Sequence, residues 1–148
     1  MYANLVFDVR LEEADKRTRG SEAIQVLIND VACLIIRQKR TDHVRIRDLL
    51  DRACVPSLNE VVIKASGMLA WMMTHPSHPL HSIFLESCLQ TTTRSASAGL
   101  VKVTKARESV AIRNAQRVWN CCSALRSAQT TGAARSAIDK FVRTIPFL

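Results

Sequence analysis

Apolar residues recur at helical spacing in five stretches of the chain, separated by breakers and polar runs. From Ser21 onward, Ile24, Leu27, Ile28, Val31 and Ile35 fall on one helix face. Ser21 is placed as the cap and Glu22 in the first turn, and Arg37, Lys39 and Arg40 close the segment where a helix dipole favours cations. A shorter helix follows, capped by Thr41 or Asp42, with Ile46, Leu49, Leu50 and Ala53 as its stripe. Cys54-Val55-Pro56 ends it, because proline disfavours helical geometry in the residue before it. Ser57-Leu58-Asn59-Glu60 has the form of a capping box, in which hydroxyl and carboxylate satisfy exposed N–H groups reciprocally. Leu58, Val61, Val62, Ala65, Leu69 and Met72 then share a face, Trp71 lies beside it, and His75-Pro76 stops the helix.

The pattern weakens between His75 and Ser109. Leu80, Ile83, Phe84 and Leu85 make one or two helical turns, Thr91 to Gly99 is a Ser/Thr/Ala-rich loop, and Leu100-Val101-Lys102-Val103 reads as extended. A helix begins again near Ser109. At about 100° per residue, Ala111, Ala115, Val118 and Cys122 gather on one side and Arg113, Gln116, Arg117 and Asn120 on the other. That helix is expected to stop before Arg126, which would otherwise swing onto the apolar side. The last helix buries Ala134, Ala137, Ile138, Phe141 and Val142 and stops at Pro146. Residues 1–20 have only Leu5, Val6, Phe7 and Val9 as an apolar cluster and read as an irregular or loosely packed segment. The expected fold is therefore all-α, a small bundle of about five amphipathic helices forming one domain over residues 21–148, with a flexible loop at about 86–108.

Composition fits such a domain. A chain of 148 residues can bury about two-thirds of its unfolded surface, and 47% hydrophobic with 23% charged residues is a globular balance. The net charge of +8 is unevenly placed: residues 1–74 hold 11 Lys/Arg against 10 Asp/Glu, and residues 75–148 hold 10 against 3. A basic second half points to a polyanionic partner, or else to a solubilising surface. Five cysteines, with no CxxC and no secretory leader, predict a reduced intracellular protein, and the longest apolar run, Val31 to Ile36, is too short to span a membrane.

Three blocks, in order, carry a family likeness. The closing block has Ala115, Trp119 and Asn120, then Ala134, Ile138, Lys140, Phe141 and Arg143. Before it come Ile24-Gln25-Val26-Leu27-Ile28-Asn29-Asp30-Val31 and the stretch from Thr41 to Leu50 that leads into Val55-Pro56-Ser57-Leu58-Asn59-Glu60. Arg94-Ser95 falls where an Arg-Ser-rich loop is common in the family. Together, over roughly residues 20–148, these resemble the region C-terminal to the polymerase core of LINE-type (non-LTR) retrotransposon reverse transcriptases. One departure is Ser123, where the family often has the proline that ends the Trp-Asn helix. The resemblance implies a role in holding template RNA or target DNA beside a separate palm, the polymerase core of the parent element. In the family the palm carboxylates lie in an aromatic-x-Asp-Asp motif, and this chain has no Asp-Asp dipeptide. The expectation is a truncated copy or detached C-terminal segment that does not polymerise.

Other chemistry is sparse. His75, His78 and His81 are interrupted by two prolines and lack cysteine partners at finger spacing, so a solvated loop is expected rather than a zinc site. Cys122 reads as a small core residue; Cys121 can reach solvent, but no histidine is placed by sequence to activate it. The four glycines are dispersed and form no phosphate loop, and no cofactor is implied. Nucleic-acid backbone contact remains: Lys102, Lys105 and Arg107 precede Arg113 and Arg117, one helical turn apart, with Gln116 and Asn120 alongside. Such donors would bind RNA or DNA phosphates with little sequence preference. The same residues would otherwise form an ordinary solvated face. Trp119 borders both faces and reads as a core anchor. The competing classes are a helical module that docks onto a protein, and a decayed retroelement remnant without selected function.

Overall fold

The computed structural model describes residues 18–39, 44–88, 98–103 and 109–145. Seven helices appear among them: α1 (Thr18–Ile35), α2 (Ile46–Ala53), α3 (Leu58–Met73), α4 (His81–Ser87), α5 (Val110–Cys121), α6 (Ser123–Arg126) and α7 (Thr131–Thr144). The described residues are otherwise irregular apart from one antiparallel bridge, Cys88 to Val101, in the middle of the chain. The fold is thus a small all-helical bundle. Its contacts gather into two compact units, one up to Val62 and one from Ile63, a boundary that the run of apolar stripes does not mark. No described helix is long and apolar enough to cross a membrane.

In the first unit α1 starts at Thr18, so Ser21 lies inside the helix rather than capping it. Ala32 packs against Leu49, Leu50 and Ala53 of α2, with Ile28, Cys33, Ile36, Val44 and Val55 around them. The stripe expected to be core points elsewhere: Ile24, Leu27, Val31 and Ile35 are exposed. At about 100° per residue, the Ile28–Ala32–Ile36 edge that meets α2 lies roughly a quarter turn from that stripe's centre. Both α1 and α2 end in Schellman motifs closed by a non-glycine residue in the left-handed region. Arg37 (φ 55°) follows α1, with Gln38 N–H donating to Cys33 O; Cys54 (φ 53°) follows α2, with Val55 N–H donating to Leu50 O.

The start of α3 is satisfied from two directions. Ser57 Oγ accepts from Glu60 N–H at 3.3 Å, as the capping box predicts, and Gln25 Oε1 accepts from Leu58 N–H at 3.1 Å. Gln25 is itself oriented by donating to Asn29 Oδ1 at 2.9 Å. The polar residues of two separate blocks, Gln25 with Asn29 and Ser57 with Glu60, therefore converge on one helix end.

In the second unit α3 buries Ser66, Gly67, Ala70, Trp71 and Met73, whereas Ala65 and Met72 of the expected face are exposed. Periodicity favoured the larger apolar residues, but close approach selects the small ones. A Cβ on Gly67 would stand 2.9 Å from Cγ1 and Cδ1 of Ile138 and 3.3 Å from Cγ1 of Val118. Gly67→Ala should therefore destabilise, overpacking outweighing the roughly 1 kcal/mol that alanine gains over glycine in a helix. Gly132→Ala meets nothing within 4 Å and should stabilise by a few tenths of a kcal/mol or more. Opposite signs in paired urea melts are the expected result; a stabilised Gly67→Ala would contradict the packing.

The α7 helix matches its predicted stripe: Ala134, Ala137, Ile138 and Val142 are buried, and Phe141 is half-buried against the core. Thr130 Oγ1 caps it by accepting from Ala133 N–H, and it ends at Thr144, before the extended residue that precedes Pro146. The α4 helix presents Phe84 edge-on to Trp119, with ring centroids 5.3 Å apart.

Candidate nucleic-acid interface

Two of the four residues expected on the outer surface of α5 are buried. Arg113 is 8% exposed and Gln116 1%, and every residue from Ile112 to Gln116 is buried. Only Ala111, placed by periodicity on the core side, is exposed. An angular assignment assumes that a helix has one wet face, but α5 is covered almost all round in its middle turn, so polarity no longer reports orientation. Arg113 and Gln116 are interior residues, and Arg117 is half-buried. Ala115, Val118 and Cys122 lie in the core as expected.

The Trp-Asn pair that ends α5 holds the chain, not a ligand. Asn120 Oδ1 accepts from Val101 N–H and its Nδ2 donates to Val101 O, both at 2.8 Å. Trp119 Nε1 donates to Gly99 O at 2.9 Å, while its ring is 8% exposed in the core. Two adjacent side chains thus grip a segment some twenty residues earlier. Beyond them, Cys122 adopts extended backbone and interrupts the helix. Arg126 then folds back, donating from Nη1 to the carbonyls of Trp119 at 2.7 Å and Asn120 at 2.9 Å. That caps α5 at the end where its dipole favours a cation. Asn120→Asp should lose about 1–3 kcal/mol, because a carboxylate in place of the amide leaves the Val101 carbonyl without its donor. A chemical melt indistinguishable from wild type would contradict the clamp.

Of the proposed contact residues, Lys102 is exposed, its N–H donating to Ser87 O at 2.7 Å. Lys105 and Arg107 lie outside the described residues. A more coherent cationic surface lies on α7. Once Ala134, Ala137, Ile138 and Phe141 face the core, the helix turns Arg135, Lys140 and Arg143 outward, and all three are exposed. The acid among them, Asp139, is held by Lys64 of α3 at 2.9 Å. The Lys64 hydrogen bond keeps its carboxyl below the usual range, with a smaller contribution from Arg143. Both partners are about half-exposed, so the pair adds little stability. Its consequence is electrostatic: with Asp139 held by Lys64 of α3, the three cations Arg135, Lys140 and Arg143 leave an excess of positive charge on the outer side of α7. The α7 stripe was legible in the sequence, and the cationic face follows from it as the opposite side of the same wheel.

Histidine and cysteine geometry is local. His75 Nδ1 bonds Trp71 O at 3.1 Å, His81 Nδ1 bonds Met73 O at 2.9 Å, and His78 Nδ1 accepts from Leu80 N–H at 3.2 Å. All three rings thus address backbone, of the last turn of α3 for His75 and His81 and of the following turn for His78. Among the described residues no three His, Cys, Asp or Glu side chains are grouped to hold a metal ion. Burial pushes the Cys88, Cys121 and Cys122 thiols up, which disfavours the nucleophilic thiolate. Comparisons of the chain with protein-family models, with curated proteins and with solved structures give no match.

Proposed function

We propose that this chain is a non-catalytic C-terminal segment of a LINE-type reverse transcriptase polyprotein, and that it contacts the phosphate backbone of RNA or DNA. The observation that carries the nucleic-acid part is the outer face of α7, where Arg135, Lys140 and Arg143 are exposed and the neighbouring acid is occupied by Lys64. Two of these cations, Lys140 and Arg143, belong to the closing block of the resemblance. Lys102 and the half-buried Arg117 remain secondary candidates, with Lys105 and Arg107; Arg113, Gln116 and Asn120 serve the fold. Point charges spaced along one helix suit phosphates rather than base edges, so binding is weakly sequence-specific. The lineage part rests on the ordered sequence blocks alone.

The test has two arms. Fluorescence anisotropy with labelled single-stranded RNA and duplex DNA of about 20 nucleotides, at low salt, should give saturable micromolar binding with little dependence on sequence. Primer extension with the purified chain and magnesium should give no template-dependent incorporation. Absence of binding defeats the first claim, and incorporation defeats the second. A protein-docking module is the alternative, and the exposed apolar side of α1 favours it.

A further inference from the structure

The side of α1 that turns away from α2 is apolar over three turns. Ile24 is 48% exposed, Leu27 63%, Val31 49%, Leu34 77% and Ile35 56%. Their spacing carries information beyond hydrophobicity. Ile24, Leu27, Val31 and Leu34 follow steps of three, four and three, the alternation of a and d positions in a heptad. The a positions are β-branched, Ile24 and Val31, and the d positions are leucine, the combination that favours two strands in helix pairs. Leu34 was not part of the stripe that periodicity assigned to the core. No charged residue interrupts the seam, and Asp30 flanks it. The core-facing edge of α1, through Ile28, Ala32 and Ile36, is a separate face.

From this geometry we infer that α1 pairs with α1 of a second copy of the chain through Ile24, Leu27, Val31 and Leu34, with Ile35 at the margin. A two-fold contact needs a surface complementary to itself, and a heptad seam meets that condition. The five residues leave roughly 500 Å² of apolar surface in water, near the top of the range of about 300–600 Å² for the largest patch on a monomer. Pairing two copies removes at most about 1,000 Å², the lower limit for a specific interface, so the dimer is weak and reversible. Two heptads are too few for a free-standing coiled coil. Here the α1 backbone is already held by α2 and by the Gln25 contact to α3, so the helix need not form on pairing.

Sedimentation velocity on the full chain, from about 1 to 300 µM, should show a monomer–dimer equilibrium in the micromolar range. Leu27→Glu with Leu34→Glu places like charges across the seam and should weaken dimerisation at least tenfold, with the helical circular dichroism unchanged. Should that double variant lose helicity, Leu34→Asn alone, at the most exposed position, provides the same comparison and should still weaken the dimer. A chain that stays monomeric at 300 µM overturns the inference. So does a dimer that survives both sets of substitutions, since its interface then lies elsewhere.

Discussion

Replacing Arg135, Lys140 and Arg143 together with glutamine should lower affinity for nucleic acid on the order of a hundredfold at 0.1 M salt. Each phosphate neutralised by a cation contributes about 0.7 to 0.9 to the slope of log affinity against log salt. Three lost contacts therefore remove about two log units at that concentration. The three side chains are exposed on α7, opposite Ala134, Ala137 and Ile138, so the fold should be undisturbed; substitutions at such surface positions usually change stability by less than about 0.5 kcal/mol. Arg113→Gln offers the contrast. It removes the same charge but at a site 8% exposed, so its effect should fall on stability and leave affinity nearly unchanged in the folded fraction. Anisotropy titrations paired with thermal melts separate the two. If the triple variant binds as wild type does, while Arg113→Gln loses affinity without losing stability, the cationic face has been placed on the wrong helix.

Trp119→Ala should cost about 3–5 kcal/mol, the range for deleting a large buried aromatic. The ring packs edge-on to Phe84 within the core of the second unit, and its Nε1–H holds the Gly99 carbonyl. Removing it leaves a cavity and frees the 99–101 segment from one of its side-chain anchors; Asn120 and the bridge to Cys88 remain. Against the roughly 5–15 kcal/mol of a typical domain, that loss takes most or much of the stability. Trp119→Phe keeps most of the packing and loses the hydrogen bond, so a smaller cost, about 1–2 kcal/mol, is expected. Urea denaturation followed by circular dichroism provides both values. Equal effects of alanine and phenylalanine would mean that the indole hydrogen bond, not the ring's packing, dominates.

Where the sequence could be read, the reason is physical, and so is the reason where it could not. The α7 helix has one wet side and one dry side, and there the three-and-four spacing of Ala134, Ala137, Ile138 and Phe141 locates the core. The Ser57 cap is a contact over three residues and is visible locally. The α5 helix defeats the same method, because a helix covered on nearly all sides buries Arg113 and Gln116 along with Ala115 and Val118. On α3 the small residues Ser66, Gly67 and Ala70 mark the close contact, which hydrophobicity alone does not rank. On α1 the most regular apolar stripe in the chain is the exposed one, since what it fits is not the neighbouring helix. The Asn120 amide meets its partner 19 residues away, a pairing no periodicity reveals. The candidate cations Lys102 and Arg117 keep some access to solvent, but the strongest cluster emerges only when α7 is seen from its outer side.

The most direct measurement is the salt dependence of binding for the unaltered chain, followed by anisotropy on duplex DNA and single-stranded RNA from about 50 to 300 mM salt. Three to four phosphate contacts predict a straight line of log affinity against log salt with a slope of about −2 to −4. A flat line, or no binding at 50 mM, would contradict a phosphate-contacting surface on α7.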